Sequence, residues 1–234
     1  MGMNFTTAAW GTDLAGIPKG AGQTATATVS TDPVEVWAIG TGVPVFIKAQ
    51  GRTEITLEIA LTTTAPDLTF NHFNTKSTNT YVAGGGITAT ITAGYLDGAT
   101  ITYPANDICT ASYTIAGRGN ISEGESGSAT LPASGDSILF GDDSSFASLY
   151  PSGLSVTITY TPEVNDLYLL GDDTPHRTLM YVTKDTAIEY AEHGFNLDDH
   201  ASLGMTGYTL EGSINVSVGN ANSITVTSRE VMFG

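Results

Sequence analysis

The chain has a single cysteine, Cys109, among 234 residues, which excludes an intramolecular disulfide. Cations are also scarce: 8 Lys and Arg face 24 Asp and Glu, for a formal net charge of -16. Affinity for nucleic acid rests on Lys and Arg displacing counterions, so a protein that grips DNA or RNA is not expected. No apolar run approaches the roughly 18 consecutive residues of a membrane-spanning helix. The first ten residues, Met1 to Trp10, have neither a basic n-region nor an apolar h-region, so a Sec leader is not expected. Catalytic signatures are missing as well. There is no Gly-x-Ser-x-Gly elbow, Gly84-Gly85-Gly86 lacks the lysine and serine of a phosphate loop, and Gly117-x-Gly119 does not open a helix. These absences predict a protein that is not an enzyme and carries no cofactor.

What the chain does contain is alternation. Ile55, Leu57, Ile59 and Leu61 alternate with Glu54, Thr56, Glu58 and Ala60, and Leu154, Val156, Ile158 and Tyr160 alternate with Ser155, Thr157 and Thr159. Successive strand side chains point to opposite faces, so each stretch predicts a strand with one dry and one wet face. The fold class expected is all-β and mainly antiparallel: β-sandwich or barrel-forming sheets, one short helix, extended terminal arms and a long loop. Hydrophobic residues make up 41% and mean hydropathy is +0.04, ordinary values for a chain with a buried core. An acidic surface serves either solubility or a conduit past which DNA slides without sticking.

Along the chain, residues 1–22 hold scattered glycines with isolated Phe5, Trp10, Leu14 and Ile17, and predict an N-terminal arm. A β-domain is expected over 23–219. Its first strands are predicted at about 23–30, 34–39, 43–49 and 53–62, separated by turns at Asp32-Pro33 and Gly40-Thr41-Gly42. Residues 65–86 form the long loop, with Phe70, His72, Phe73, Lys76 and Tyr81 in a polar setting; its aromatics either anchor a partner or fold back on their own domain. Further strands are expected at 87–93, 99–103, 110–116, 137–140 and 154–160, with a Gly/Ser-rich loop from Gly117 to Gly135 and one helical turn near Phe146–Leu149. The helix is predicted at about 186–194. There Thr186 and Glu189 match a Thr-x-x-Glu capping box, Asp185 sits at the positive end and Gly194 suits the residue after the last turn. Alternation returns from Tyr208 to Val218, and residues 220–234 are expected to be a C-terminal strand or arm.

Several clusters carry possible chemistry. His193, Asp198, Asp199 and His200 have metal-ligating side chains, but their spacing matches no established site and they fall in a loop where polar residues belong; no metal is assigned. Gly141-Asp142-Asp143-Ser144 and Gly171-Asp172-Asp173-Thr174 lack the alternating ligands of a calcium loop and read as turns. Cys109 reads as a small buried hydrophobe. Asn4, Asn120 and Asn215 begin glycosylation sequons of the kind that arise by chance in Thr/Ser-rich sequence. A glycan-binding face would need exposed aromatics, for which Trp37, Tyr95 and Tyr103 are the available residues.

An aromatic-bearing arm, a Thr-rich β-domain, one helix, a long early loop and a final extended segment together resemble the tail tube (major tail) proteins of tailed bacterial or archaeal viruses. The resemblance spans most of the chain and is architectural. It implies a virion protein, made in the host cytoplasm, whose partners are itself and other tail proteins. Copies would close into rings, expected to be hexameric, that stack into a hollow tube through which DNA passes without specific binding and without a membrane. It also implies that residues 65–86 stack rings, that 1–22 and 220–234 are arms, and that Glu54 and Glu58 face the lumen. The alternatives are a capsid decoration or tail-terminator subunit, and a carbohydrate-binding or adhesive β-module.

Overall fold

The computed structural model describes residues 20–40, 42–44, 46–61, 68–83, 87–123, 138–143, 146, 150, 153–167, 176–190, 208–215 and 223–234. Its elements are β1 (Gly20–Val36), β2 (Phe46–Leu61), α1 (Phe70–Asn74), β3 (Ser77–Ala83), β4 (Ile87–Pro104), β5 (Thr110–Glu123), β6 (Gly153–Leu167), β7 (His176–Tyr190), β8 (Tyr208–Asn215) and β9 (Ser223–Met232). The strands join in one nine-stranded sheet of order β1-β2-β5-β4-β6-β7-β9-β8, with β3 attached to β4. Each pairing is antiparallel. The expected all-β antiparallel class is what the chain adopts.

The period-2 pattern decides which face is dry. Ile55, Leu57, Ile59 and Leu61 on β2 are buried, as are Ala111, Tyr113 and Ile115 on β5, Ala99, Ile101 and Tyr103 on β4, Val156, Ile158 and Tyr160 on β6, and Val182, Ile188 and Tyr190 on β7. Register lines these residues up: Leu57 lies opposite Tyr113, Tyr113 opposite Ala99, and Ala99 opposite Tyr160. Burying side chains of this size contributes about 1.5–3 kcal/mol each. Two short pieces cap the core. On α1, Phe73 is fully buried with its ring 5.9 Å from that of Tyr160, and the Leu68 N–H donates to the Tyr160 hydroxyl at 3.3 Å. Farther along β4, Tyr103 is covered by Phe146 and Tyr150, at ring separations of 4.9 and 6.3 Å.

Bulges shape β4. Its register slips between Thr92 and Tyr95 and again between Leu96 and Gly98. β5 lies along one side of β4 throughout. On the other side, Ile87–Gly94 pairs with β3 whereas Ala99–Pro104 pairs with β6. The sheet therefore forks at Tyr95–Gly98, where an added residue bends a strand and increases its twist.

Several sequence expectations change. The helix expected at 186–194 is absent through Tyr190, where the chain continues β7 instead, and residues 191–194 lie outside the described residues. Val182, Lys184, Thr186, Ile188 and Tyr190 are buried in strict alternation, and β7 is paired on both sides, with β6 and β9. Strand partners on two edges and β-branched residues outweigh a four-residue capping signal. Phe146 is helical, in the turn expected near 146–149, and its carbonyl accepts from the Tyr150 N–H at 2.8 Å; the other α-helix among the described residues is α1, inside the segment expected to be a long loop at 65–86. That segment also contributes β3, and its Phe70 and Phe73 pack on their own domain. In α1 a histidine supplies the side-chain half of a capping box, the Thr69 N–H donating to His72 Nδ1 at 2.9 Å, while the His72 N–H donates to the Thr69 carbonyl at 3.0 Å as a backbone turn.

The four early strands are two. β1 runs straight through Asp32-Pro33 because β1 ends the sheet order, and an edge strand tolerates the missing N–H. Of the turn expected at Gly40-Thr41-Gly42, Gly40 lies in a turn with a φ of 88° that favours glycine, and Thr41 lies outside the described residues. Residues 117–123 extend β5 rather than starting a loop. Of the arms, residues 1–19 lie outside the described residues and 20–22 begin β1; residues 223–232 are β9, an interior strand between β7 and β8.

Candidate functional site

Opposite the core, the sheet presents a face of hydroxyls and carboxylates. One row of directly paired residues crosses seven strands: Thr24, Glu58, Ser112, Thr100, Thr159, Asp185 and Arg229. A second runs Ala60, Thr110, Thr102, Thr157, Ala187 and Thr227. Threonine suits these positions, since its β-branch favours the strand while its hydroxyl remains available on the wet side. Neighbours bond across strands: Thr24 Oγ1 donates to Glu58 Oε2 at 2.7 Å, and Ser155 Oγ to Glu189 Oε2 at 3.4 Å. Glu54 and Glu58, expected to be lumenal, both stand on this face. Asp185 and Glu189 join them, which a helical reading of that stretch had hidden.

Two ion-pair groups stand out, the first of them on this face. Arg229 grips Asp185 with two bonds of 2.6 Å, and the Asp185 partnership holds the guanidinium above its usual pKa. At the fork of the sheet, Asp97 joins two arginines: Arg52 Nη2 lies 2.6 Å from Oδ2 and Arg177 Nη1 lies 2.9 Å from Oδ1. Arg52 also approaches Glu54 at 3.3 Å. The Arg177 guanidinium lies over the Tyr95 ring, 5.1 Å from its centroid. Sequence reasoning missed this cluster; the available signal was Asp97-Gly98 interrupting an apolar strand, a bulge signature.

Beyond β5 the β1–β2 pair continues alone. β2 pairs with β5 from Thr53 to Ala60, whereas its pairing with β1 extends out to Phe46 opposite Val36. The tip is apolar and in water: Val36, Trp37, Ile39 and Val43 are all exposed, Trp37 at 56%. Trp37 Nε1 donates to Glu35 at 3.2 Å, which leaves the ring face open. An isolated two-stranded ribbon is marginal in water, and an apolar tip on one marks a contact surface.

The remaining candidates separate. His193, Asp198, Asp199, His200, Asp172 and Asp173 lie outside the described residues, and no group of three metal-ligating side chains occurs among the described ones. Asp142 and Asp143 sit in a turn, where the Asp143 N–H donates to the Phe140 carbonyl and the Phe146 N–H to that of Asp143. Cys109 is buried. Burial, then the charges of Asp143 and Asp142, push its pKa up to about 11, so it stays a thiol at neutral pH. The aromatics considered for a glycan face do not share one: Trp37 is at the hairpin tip, Tyr95 lies under Arg177, and Tyr103 is buried in the core. Comparison with protein-family models and with curated proteins finds no match.

Proposed function

We propose that this chain is a structural subunit of a viral tail, a tail tube protein whose copies associate edge to edge into rings that stack into a tube. The observation that carries this reading is a single wide antiparallel sheet, dry on one face and lined with hydroxyls and carboxylates on the other, whose terminal strands β1 and β8 have no further strand partner among the described residues. Unpaired edges are templates for strand addition, and ring closure satisfies them. In such a ring the Thr24-to-Asp185 face lines the lumen. Its carboxylates repel phosphate while its hydroxyls offer no fixed positive charge, so DNA moves past without being held.

Stacking falls to the β1–β2 tip rather than to residues 65–86, because Phe70 and Phe73 of the latter pack on the subunit's own core. Trp37 and Ile39 supply the apolar anchors that an inter-ring contact needs.

Negative-stain electron microscopy across a concentration and salt series tests the reading. Hollow tubes or stacked rings are the expected result. Monomers persisting at high concentration and high salt would overturn it in favour of a binding module, and closed oligomers that never elongate would favour a decoration or terminator subunit.

A further inference from the structure

Arg177 is buried with only part of its hydrogen-bonding capacity used. Its side chain is 9% exposed, Nη1 is committed to Asp97 Oδ1, and Nε and Nη2 are both buried without an acceptor. These two N–H groups lie along one edge of the planar guanidinium and point the same way. They form the fork that receives two oxygens of a carboxylate or phosphate. Asp97 cannot fill it, because its second oxygen is held by Arg52 at 2.6 Å. One carboxylate charge is thus divided between two guanidiniums, and Glu54 reaches only Arg52. The Tyr95 ring backs the group, so the guanidinium is fixed in place while one edge has no hydrogen-bond partner.

Buried charged donors without acceptors are costly, more so than neutral ones. Lysine would make the same Asp97 contact without presenting a planar fork. We propose that the Nε–Nη2 edge of Arg177, at the fork of the sheet, is an oxyanion site that takes a carboxylate or phosphate group in bidentate fashion. Solvent does not reach either nitrogen in the unliganded chain. Entry therefore requires local opening, and a bound oxyanion is sheltered from competing water and salt. In the β6–β7 register Asp166 is directly opposite Arg177, which makes that position the internal control.

The test is thermal unfolding of the dilute full chain in sodium phosphate, sodium acetate and sodium chloride at matched ionic strength and pH 7. Phosphate and acetate are expected to raise the midpoint relative to chloride, by about 4 °C once the anion exceeds its Kd tenfold. Arg177→Lys is expected to keep only the general salt effect, while Arg52→Lys and Asp166→Asn keep the full shift. A response to one anion alone assigns the site to that chemistry. Equal midpoints in the three salts, or a shift undiminished in Arg177→Lys, would overturn the proposal. So would a shift that appears only in Asp166→Asn, since Asp166 would then already occupy the fork. Calorimetric titration of the wild-type chain with phosphate gives a readout independent of variant folding: a saturable one-to-one isotherm is expected, and heats of dilution alone count against the site.

Discussion

Arg229 and Asp185 meet edge to edge across β9 and β7, with Nε on Oδ1 and Nη2 on Oδ2, each at 2.6 Å. Arg229 thus uses the same guanidinium edge that Arg177 leaves open, but on the wet face of the sheet. Its side chain is 45% exposed, and exposed pairs of this kind contribute little. Arg229→Ala is expected to lower the thermal midpoint by no more than about 2 °C, with the loss shrinking further at high salt. A larger loss, insensitive to salt, would mean that the pair is structural rather than a surface feature of the row of hydroxyls and carboxylates.

Alkaline pH is expected to destabilise the fold. Burial raises the Cys109 thiol to about 11 and pushes the Tyr113 and Tyr190 phenols up as well. A folded-state pKa above the unfolded one means that stability is intact below the unfolded value and is lost as pH rises through the folded one. The urea midpoint should be level from pH 7 to roughly 8.5, then fall steadily toward pH 11 and beyond. Tyr113→Phe should flatten that fall above about pH 10, and an unchanged slope would remove Tyr113 from the account. In the same samples, Cys109 should resist thiol reagents at pH 8 until the chain unfolds.

Two glycines should differ in how much alanine costs them. A Cβ at Gly141 would lie 1.6 Å from the Pro104 carbonyl oxygen, a backbone atom that cannot swing aside. At Gly98 the nearest atom is the Tyr160 carbonyl oxygen at 3.7 Å, an ordinary contact. Gly141→Ala is expected to cost at least about 2 kcal/mol by urea unfolding, and Gly98→Ala less than about 1 kcal/mol. The reverse ranking would show that the turn carrying Gly141 relaxes freely.

Phe73→Ala should remove about 3–5 kcal/mol, because it empties the fully buried site where α1 meets Tyr160. A loss below about 1 kcal/mol would mean that α1 contributes little to the core.

The double variant Trp37→Ser, Ile39→Ser separates assembly from folding. Both side chains are exposed at the β1–β2 tip, so the unfolding midpoint should stay within about 1 °C of wild type while tubes fail to elongate. Normal tubes from this variant would sink the stacking role given to the tip.

Where both faces of a strand announced themselves, the sequence was a reliable guide. Ile55, Leu57, Ile59 and Leu61 are buried, as are Val156, Ile158 and Tyr160, and Glu54 and Glu58 fall on the wet face for the same reason; the exceptions are Ala60, buried on the polar side of its pattern, and Leu154, exposed at 37% on the apolar side. β7 was illegible because Thr186 and Glu189 imitate a helix start, and because one of its two partners, β9, is distant in sequence. The Arg177–Asp97 contact was hidden more deeply. It depends on β4 leaving β6 to pair with β3, a fork set by two bulges that no local pattern locates. Phe70 and Phe73 take the second of the two alternatives left open for them and pack on their own domain, since an aromatic in a polar stretch anchors its own domain as readily as a partner's.

β9 is synthesised after β7 and β8 yet lies between them, and β8 has no other described strand partner. As the chain leaves the ribosome, β8 emerges before the strand that will hold it, and the flank of β7 waits bare until β9 arrives. The β8 edge is consequently the last border of the sheet to come into being. In the assembly proposed above, a subunit that joins its neighbours through this border cannot begin to do so while β9 is still unmade, so the order of translation would itself hold back assembly until the border exists.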